Sequence, residues 1–189
     1  MNRGPMTKRI LSIDYPDATV YHEQIFKKIS RRLTKANNWI VMIRGNHDDP
    51  AYFQEQRIHH ERFRCIPDYS IVTACGHSIL CIGGAISIDR TYRLTVYSQP
   101  HSAPTACYWA DEMPYLDAEA LAEINNKYKV DTIVTHTAPS FCELISKEGL
   151  RGWANKDETL LEDCKQERAI LDRMVNSLFE AGQPLSHLY

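Results

Sequence analysis

Two segments of the chain predict buried strands. Trp39-Ile-Val-Met-Ile43 is apolar without interruption, and unbroken apolarity, unlike alternation, is the pattern of a strand covered on both faces; Val130 to Thr135, with Val130, Ile133 and Val134, is the second. Lys8 to Ile13, short and rich in Ile and Leu, predicts a first buried strand that runs into the turn Asp14-Tyr15-Pro16-Asp17. A helix follows, because Ile25, Ile29 and Leu33 recur at i+4 with Phe26 beside them, while Lys27, Lys28, Arg31 and Arg32 take the opposite, solvated side. Tyr69 to Ala74 and Ser78 to Ile82, separated by Cys75-Gly76-His77, predict a β-hairpin whose second strand ends at Gly83-Gly84, so the sheet is mixed.

From Ile88 to Pro114 the periodicity is weak, and the segment is drawn as a long excursion over the surface. Leu121, Ile124 and Tyr128 mark a further amphipathic helix. The last helix runs from about Thr159 to Ala181, with Leu160, Cys164, Leu171, Met174, Val175 and Leu178 inward and Gly182 past its end as a C-cap. Gln183 to Tyr189 reads as the approach to another strand that stops before it is made. These elements predict an α/β class, a mixed β-sheet layered with helices, in one domain over 1–189.

Composition narrows the picture. With 189 residues, 43% hydrophobic and 24% charged, the chain has the size and make-up of one folded globular domain. A formal charge of −2 argues against a protein that grips nucleic acid through a global positive field. The six cysteines contain no C-x-x-C pair, as expected in a reducing compartment, and the apolar residues behind Arg3, Lys8 and Arg9 are too few for a secretory or membrane segment. The expectation is a cytoplasmic protein with no membrane partner.

These two strands deliver ligand-capable residues where open α/β sheets place their chemistry, at the carboxyl ends. Asn46 follows the first and His136 the second, offering one oxygen and one nitrogen ligand. Such a set suits Mn²⁺, Fe, Zn²⁺ or Ni²⁺ better than Ca²⁺. Taken alone, an Asn before a turn is an Asx turn more often than a ligand, and a lone His after a strand is more often structural.

Gly45-Asn46-His47-Asp48 resembles the G-N-H-[DE] signature of the calcineurin-like metallophosphoesterases, and His136-Thr137-Ala138-Pro139 looks like a later single-histidine motif of that superfamily. The resemblance covers Trp39 to about Ala181. It implies a phosphoesterase that hydrolyses a phosphomonoester or phosphodiester by metal-bound hydroxide, using a divalent metal, first of all Mn²⁺, in a two-metal centre. It also implies roles: Asn46 and His136 as metal ligands, His47 facing the phosphate ester, and Asp48 accepting the other ring N–H of His47 to hold its orientation. An acidic helix N-cap before Pro50 is the structural alternative for Asp48.

The family's D-x-H, G-D-x-x-D and G-H-x-H motifs do not occur. Asp14 stands where the first metal-binding Asp is expected, but Pro16 occupies the position of the following His. Two readings remain open: a chain incomplete at both ends, or a truncated or degenerate relative that serves as a non-catalytic binding or scaffold domain. With a metal site lacking ligands, the chain is expected to bind Mn²⁺ weakly and to turn over an aryl phosphate poorly, and sheet edges left open invite self-association.

Other candidates carry less. Arg90 and Arg93 are placed to clamp a substrate phosphate or are plain surface arginines. Tyr108, Trp109 and Trp153 line a cleft or, more in keeping with aromatic residues under a long loop, pack. His59-His60 beside Glu61 reads as a solvated helix face, His22, His77, His101 and His187 have no partner pattern, and Ser140 and Cys142 lack an elbow motif.

Overall fold

The computed structural model describes residues 18–97, 108–143 and 149–189; the expected strand Lys8 to Ile13, Asp14 and His101 lie outside them. The order is α1 (Ala18–Lys35), β1 (Ile40–Met42), α2 (Pro50–Gln54), β2 (Phe63–Cys65), β3 (Ser70–Ala74), β4 (His77–Ile82), α3 (Arg90–Tyr97), α4 (Ala118–Lys127), β5 (Thr132–Thr135), α5 (Leu150–Ala154), α6 (Leu160–Glu180) and β6 (His187–Leu188). β1 and β2 pair in parallel, and a second sheet has the order β3-β4-β5-β6, antiparallel at its first pair and parallel thereafter. The class is therefore α/β with mixed pairing, as the periodicity indicates.

The hairpin turns at Cys75 and Gly76, both at positive φ (52° and 85°), with Ala74 opposite His77. Two successive left-handed residues match the twist of the flanking strands, and glycine meets that demand without strain. α4 begins on Asp117, whose carboxylate accepts from the Ala120 N–H at 2.9 Å. α6 ends as its sequence predicts: the Gly182 N–H reaches Phe179 O at a φ of +70°.

Leu80, Ile82 and Ile133 of the larger sheet, with Val130 just ahead of β5, pack against Leu121 and Ile124 of α4 and Leu171, Met174, Val175 and Leu178 of α6. A smaller cluster joins Phe53, Ile58, Phe63 and Cys65 to Phe26, Ile29 and Leu33 of α1, with the Phe26 and Phe63 rings 5.1 Å apart.

Four expectations are corrected. β1 is not covered on both faces: Ile40, Val41 and Met42 are all exposed, because the apolar side of α1 lies on β2 instead. The excursion Ile88 to Pro114 contains α3, whose outward Tyr92 and Leu94 hide the helical period. The chain end does form a strand, with His187 opposite Thr132 and Leu188 opposite Ile133. His59 and His60 are not helical; they lie between α2 and β2, where His59 bridges to Arg64. Among the described residues no helix is long and apolar enough to cross a membrane.

Candidate active site

Past Met42 the first apolar run enters the second sheet's neighbourhood through Arg44, whose carbonyl accepts from the Gly84 N–H at 2.8 Å. The Arg44 side chain turns inward and is almost fully buried. Its Nε donates to Asp68 Oδ2 at 2.8 Å, Nη1 to the carbonyls of Glu112 (2.8 Å) and Asp111 (3.2 Å), and Nη2 to that of Met113 (3.2 Å). Asp68 Oδ1 in turn accepts from the Gly83 N–H at 2.7 Å. A buried guanidinium is tolerable only when its donors are matched in this way. The glycine pair makes the room: a Cβ on Gly83 would stand 2.5 Å from Arg44 Cγ, and one on Gly84 2.4 Å from Glu112 O.

On this base the two strand ends meet. His136 Nε2 lies 3.3 Å from Asn46 Oδ1. Asn46 is oriented from behind, its Nδ2 donating to Ser87 Oγ at 3.3 Å while Ser87 donates through N (2.5 Å) and Oγ (2.6 Å) to the two oxygens of buried Glu112. That chain aims the Asn46 amide oxygen, not its nitrogen, at His136. Desolvation at the strand end lowers the His136 pKa from its usual value; the Asp48 charge opposes the shift, and His47 and Arg44 add to it. Gly45 is enclosed as well, since a Cβ there would stand 2.9 Å from His136 Nε2.

Asp48 departs from its expected role. Its Oδ2 accepts from the Gly45 N–H at 2.7 Å and so closes the turn. The helix cap is Asp49, whose Oδ1 accepts from the Ala51 N–H at 2.9 Å. The partner of His47 is Arg93, with Nη2 2.7 Å from Nε2.

Arg90 is no phosphate clamp. Asp157 takes its Nε and Nη2 at 2.6 and 3.0 Å, and Thr159 and Asp163 also accept from Nη2. The same contact holds the Asp157 and Asp163 carboxyls below their usual range. Trp153 packs on Tyr92, ring centroids 6.2 Å apart, as the packing alternative predicts.

The segment behind His136 is held by one helix. Glu167 accepts from Thr137 Oγ1 at 3.2 Å and from the Ile86 N–H at 2.6 Å. Arg168 donates to the carbonyls of Ala138, Pro139, Ser140 and Cys142, and Asp172 accepts from Ser140 N and Oγ. Burial raises the Glu167 pKa to about 7 and pushes that of Glu112 up as well. Arg44, Ser87, Glu112, Glu167 and Arg168 carry no local sequence signal, because each partner lies far away along the chain.

Asn46 Oδ1 and His136 Nε2 suit one divalent cation. Two atoms 3.3 Å apart have the spacing of adjacent ligands around an ion bound at about 2.0–2.2 Å, and a neutral imidazole offers its lone pair. Among the described residues no group of three or more His, Cys, Asp or Glu stands ready to hold a metal, so the fit is for part of one site and not for a bridged pair.

A family model described as calcineurin-like phosphoesterase matches residues 11–162 of the 189. No curated protein and no solved structure matches the chain.

Proposed function

Since the chain belongs to the calcineurin-like phosphoesterase family, whose members are metal-dependent hydrolases, we propose that it hydrolyses a phosphomonoester or phosphodiester with the help of a divalent cation, Mn²⁺ first. The observation that supports this reading is the 3.3 Å approach of Asn46 Oδ1 to His136 Nε2 at two strand ends whose motifs are 90 residues apart. Asn46 and His136 would hold the cation, which supplies Lewis acidity toward the phosphoryl oxygens and an acidified water. His47, exposed beside them, would act on the leaving oxygen as a proton donor or stabilise its charge. Asp48 shapes the turn that presents both residues.

Among the described residues no group of three or more His, Cys, Asp or Glu stands ready to hold a metal, which favours a second reading, a non-catalytic binding or scaffold relative of the fold. Calorimetric titration with Mn²⁺, run beside an aryl phosphate turnover assay, separates the two. The proposed function requires Mn²⁺-dependent turnover that is lost in His47→Ala, with metal uptake lost in His136→Ala and Asn46→Ala. Turnover indifferent to Mn²⁺, or unchanged in His136→Ala, overturns it. Metal uptake with no turnover turns the conclusion to the second reading.

A further inference from the structure

We propose that Arg93 is the positioning residue for His47, holding its imidazole as the tautomer with the proton on Nδ1 and a lone pair on Nε2. The inference rests on the proposed function only for what that tautomer does in hydrolysis.

Arg93 is buried on α3, and its three nitrogens are each engaged: Nε with Asp89 Oδ1 at 2.8 Å, Nη1 with the Asn46 carbonyl at 3.1 Å, and Nη2 with His47 Nε2 at 2.7 Å. A guanidinium has five N–H donors, no acceptor, and no neutral form in a protein. Whatever lies 2.7 Å from Nη2 must accept, so His47 Nε2 carries no proton and the ring N–H is on Nδ1.

The scaffold leaves Arg93 little freedom. One turn earlier on the same helix, Arg90 is tied to Asp157, Thr159 and Asp163, which anchors α3 against the start of α6. The Arg93 head therefore arrives at a fixed place and grips two consecutive motif residues, one by its backbone and one by its ring. Asp48, which chemistry would otherwise suit to orient that ring, is committed to Gly45. For hydrolysis the consequence is that the neutral ring of His47 offers its Nδ1–H as a hydrogen-bond donor that stabilises the charge developing on a leaving oxygen, keeping its proton, while Nε2 is the tethered atom.

The test is ¹⁵N NMR of the full chain labelled at histidine, with the His47 signals assigned by their loss in His47→Ala. The wild-type protein should show His47 with a protonated Nδ1 and an unprotonated Nε2. Arg93→Lys, which keeps a donor, should retain that pattern; Arg93→Met, with folding checked by circular dichroism, should shift it toward the tautomer protonated on Nε2. A wild-type or Arg93→Lys protein with the proton on Nε2, or a folded Arg93→Met protein with an unchanged pattern, overturns the assignment, and the first two readings decide even where Arg93→Met does not fold. In the turnover assay Arg93→Met should lower kcat about 10–100-fold with KM little changed, and Arg93→Lys should recover part of it. The expected tautomer without any turnover sinks the hydrolytic function and leaves Arg93 in its role; turnover with the opposite tautomer does the reverse.

Discussion

Arg44 and Asp68 form an ion pair with Nε and Oδ2 2.8 Å apart and both side chains 2% exposed, beneath the turn that carries the metal-ligand candidate Asn46. Removing one member strands the other in a nearly waterless interior. Arg44→Met should destabilise the protein by about 3–5 kcal/mol. Asp68→Asn should cost less than Asp68→Ala, since it keeps an acceptor for Gly83 N–H. Urea denaturation of the two single variants and the double variant measures the coupling; strict additivity would mean that the pair does not act as a unit.

The glycines predict a graded series. Gly84→Ala places a methyl group 2.4 Å from Glu112 O and 2.7 Å from Arg44 Nη1 at a φ of +93°, so overpacking and backbone strain add to about 3 kcal/mol or more. Gly76, at φ +85° with open space around it, should lose only the strain, about 1–2 kcal/mol, on change to Ala. Gly152→Ala, in α5 and unobstructed, should stabilise by about 0.5–1 kcal/mol. Thermal melts of the three variants check the order.

Glu167 makes stability depend on pH. Burial raises its folded pKa from 4.5 to about 7, so between these values the native state holds a proton that the unfolded chain has released. Stability should therefore fall as pH rises through that window, by about 3 kcal/mol in all, and the upward shift of Glu112 acts with the same sign. Glu167→Gln keeps an acceptor for the Ile86 N–H and should flatten most of this slope in denaturation curves taken from about pH 5 to about pH 8.

β1 pairs only with β2 among the described residues, and Trp39, Ile40, Val41 and Met42 are 37% to 50% exposed. Such an edge should pair with a second copy of the chain, seen in sedimentation velocity as a species that grows with concentration. Val41→Lys should return the protein to a monomer. A wild-type chain that stays monomeric at every concentration disproves the pairing.

What could be read from the sequence was what local pattern encodes. The hairpin at Gly76, the helix capped by Gly182 and the meeting of Asn46 with His136 follow from periodicity, turn chemistry and motif. Continuity of apolar residues, in contrast, misjudged β1, because it records which residues can be buried and not which neighbour arrives. α3 was missed because ion pairs through Arg90 and Arg93, not an apolar face, hold it. The cap expected as the alternative for Asp48 falls to Asp49, while Asp48 closes the turn onto Gly45: either acid can do either, and the backbone course decides.

The supports of the Asn46 turn reach 24 residues along the chain to Asp68 and 67 to 69 residues to Asp111 through Met113. Loops of that span must close before any of these bonds forms, whereas the β3–β4 hairpin closes over two residues. The longer closures cost more entropy, so assembly of the site is expected to follow the hairpin in folding. During synthesis, a nascent chain that has already displayed Gly45 to Asp48 lacks the Asp111, Glu112 and Met113 carbonyls that match the Arg44 guanidinium until the ribosome has passed Met113.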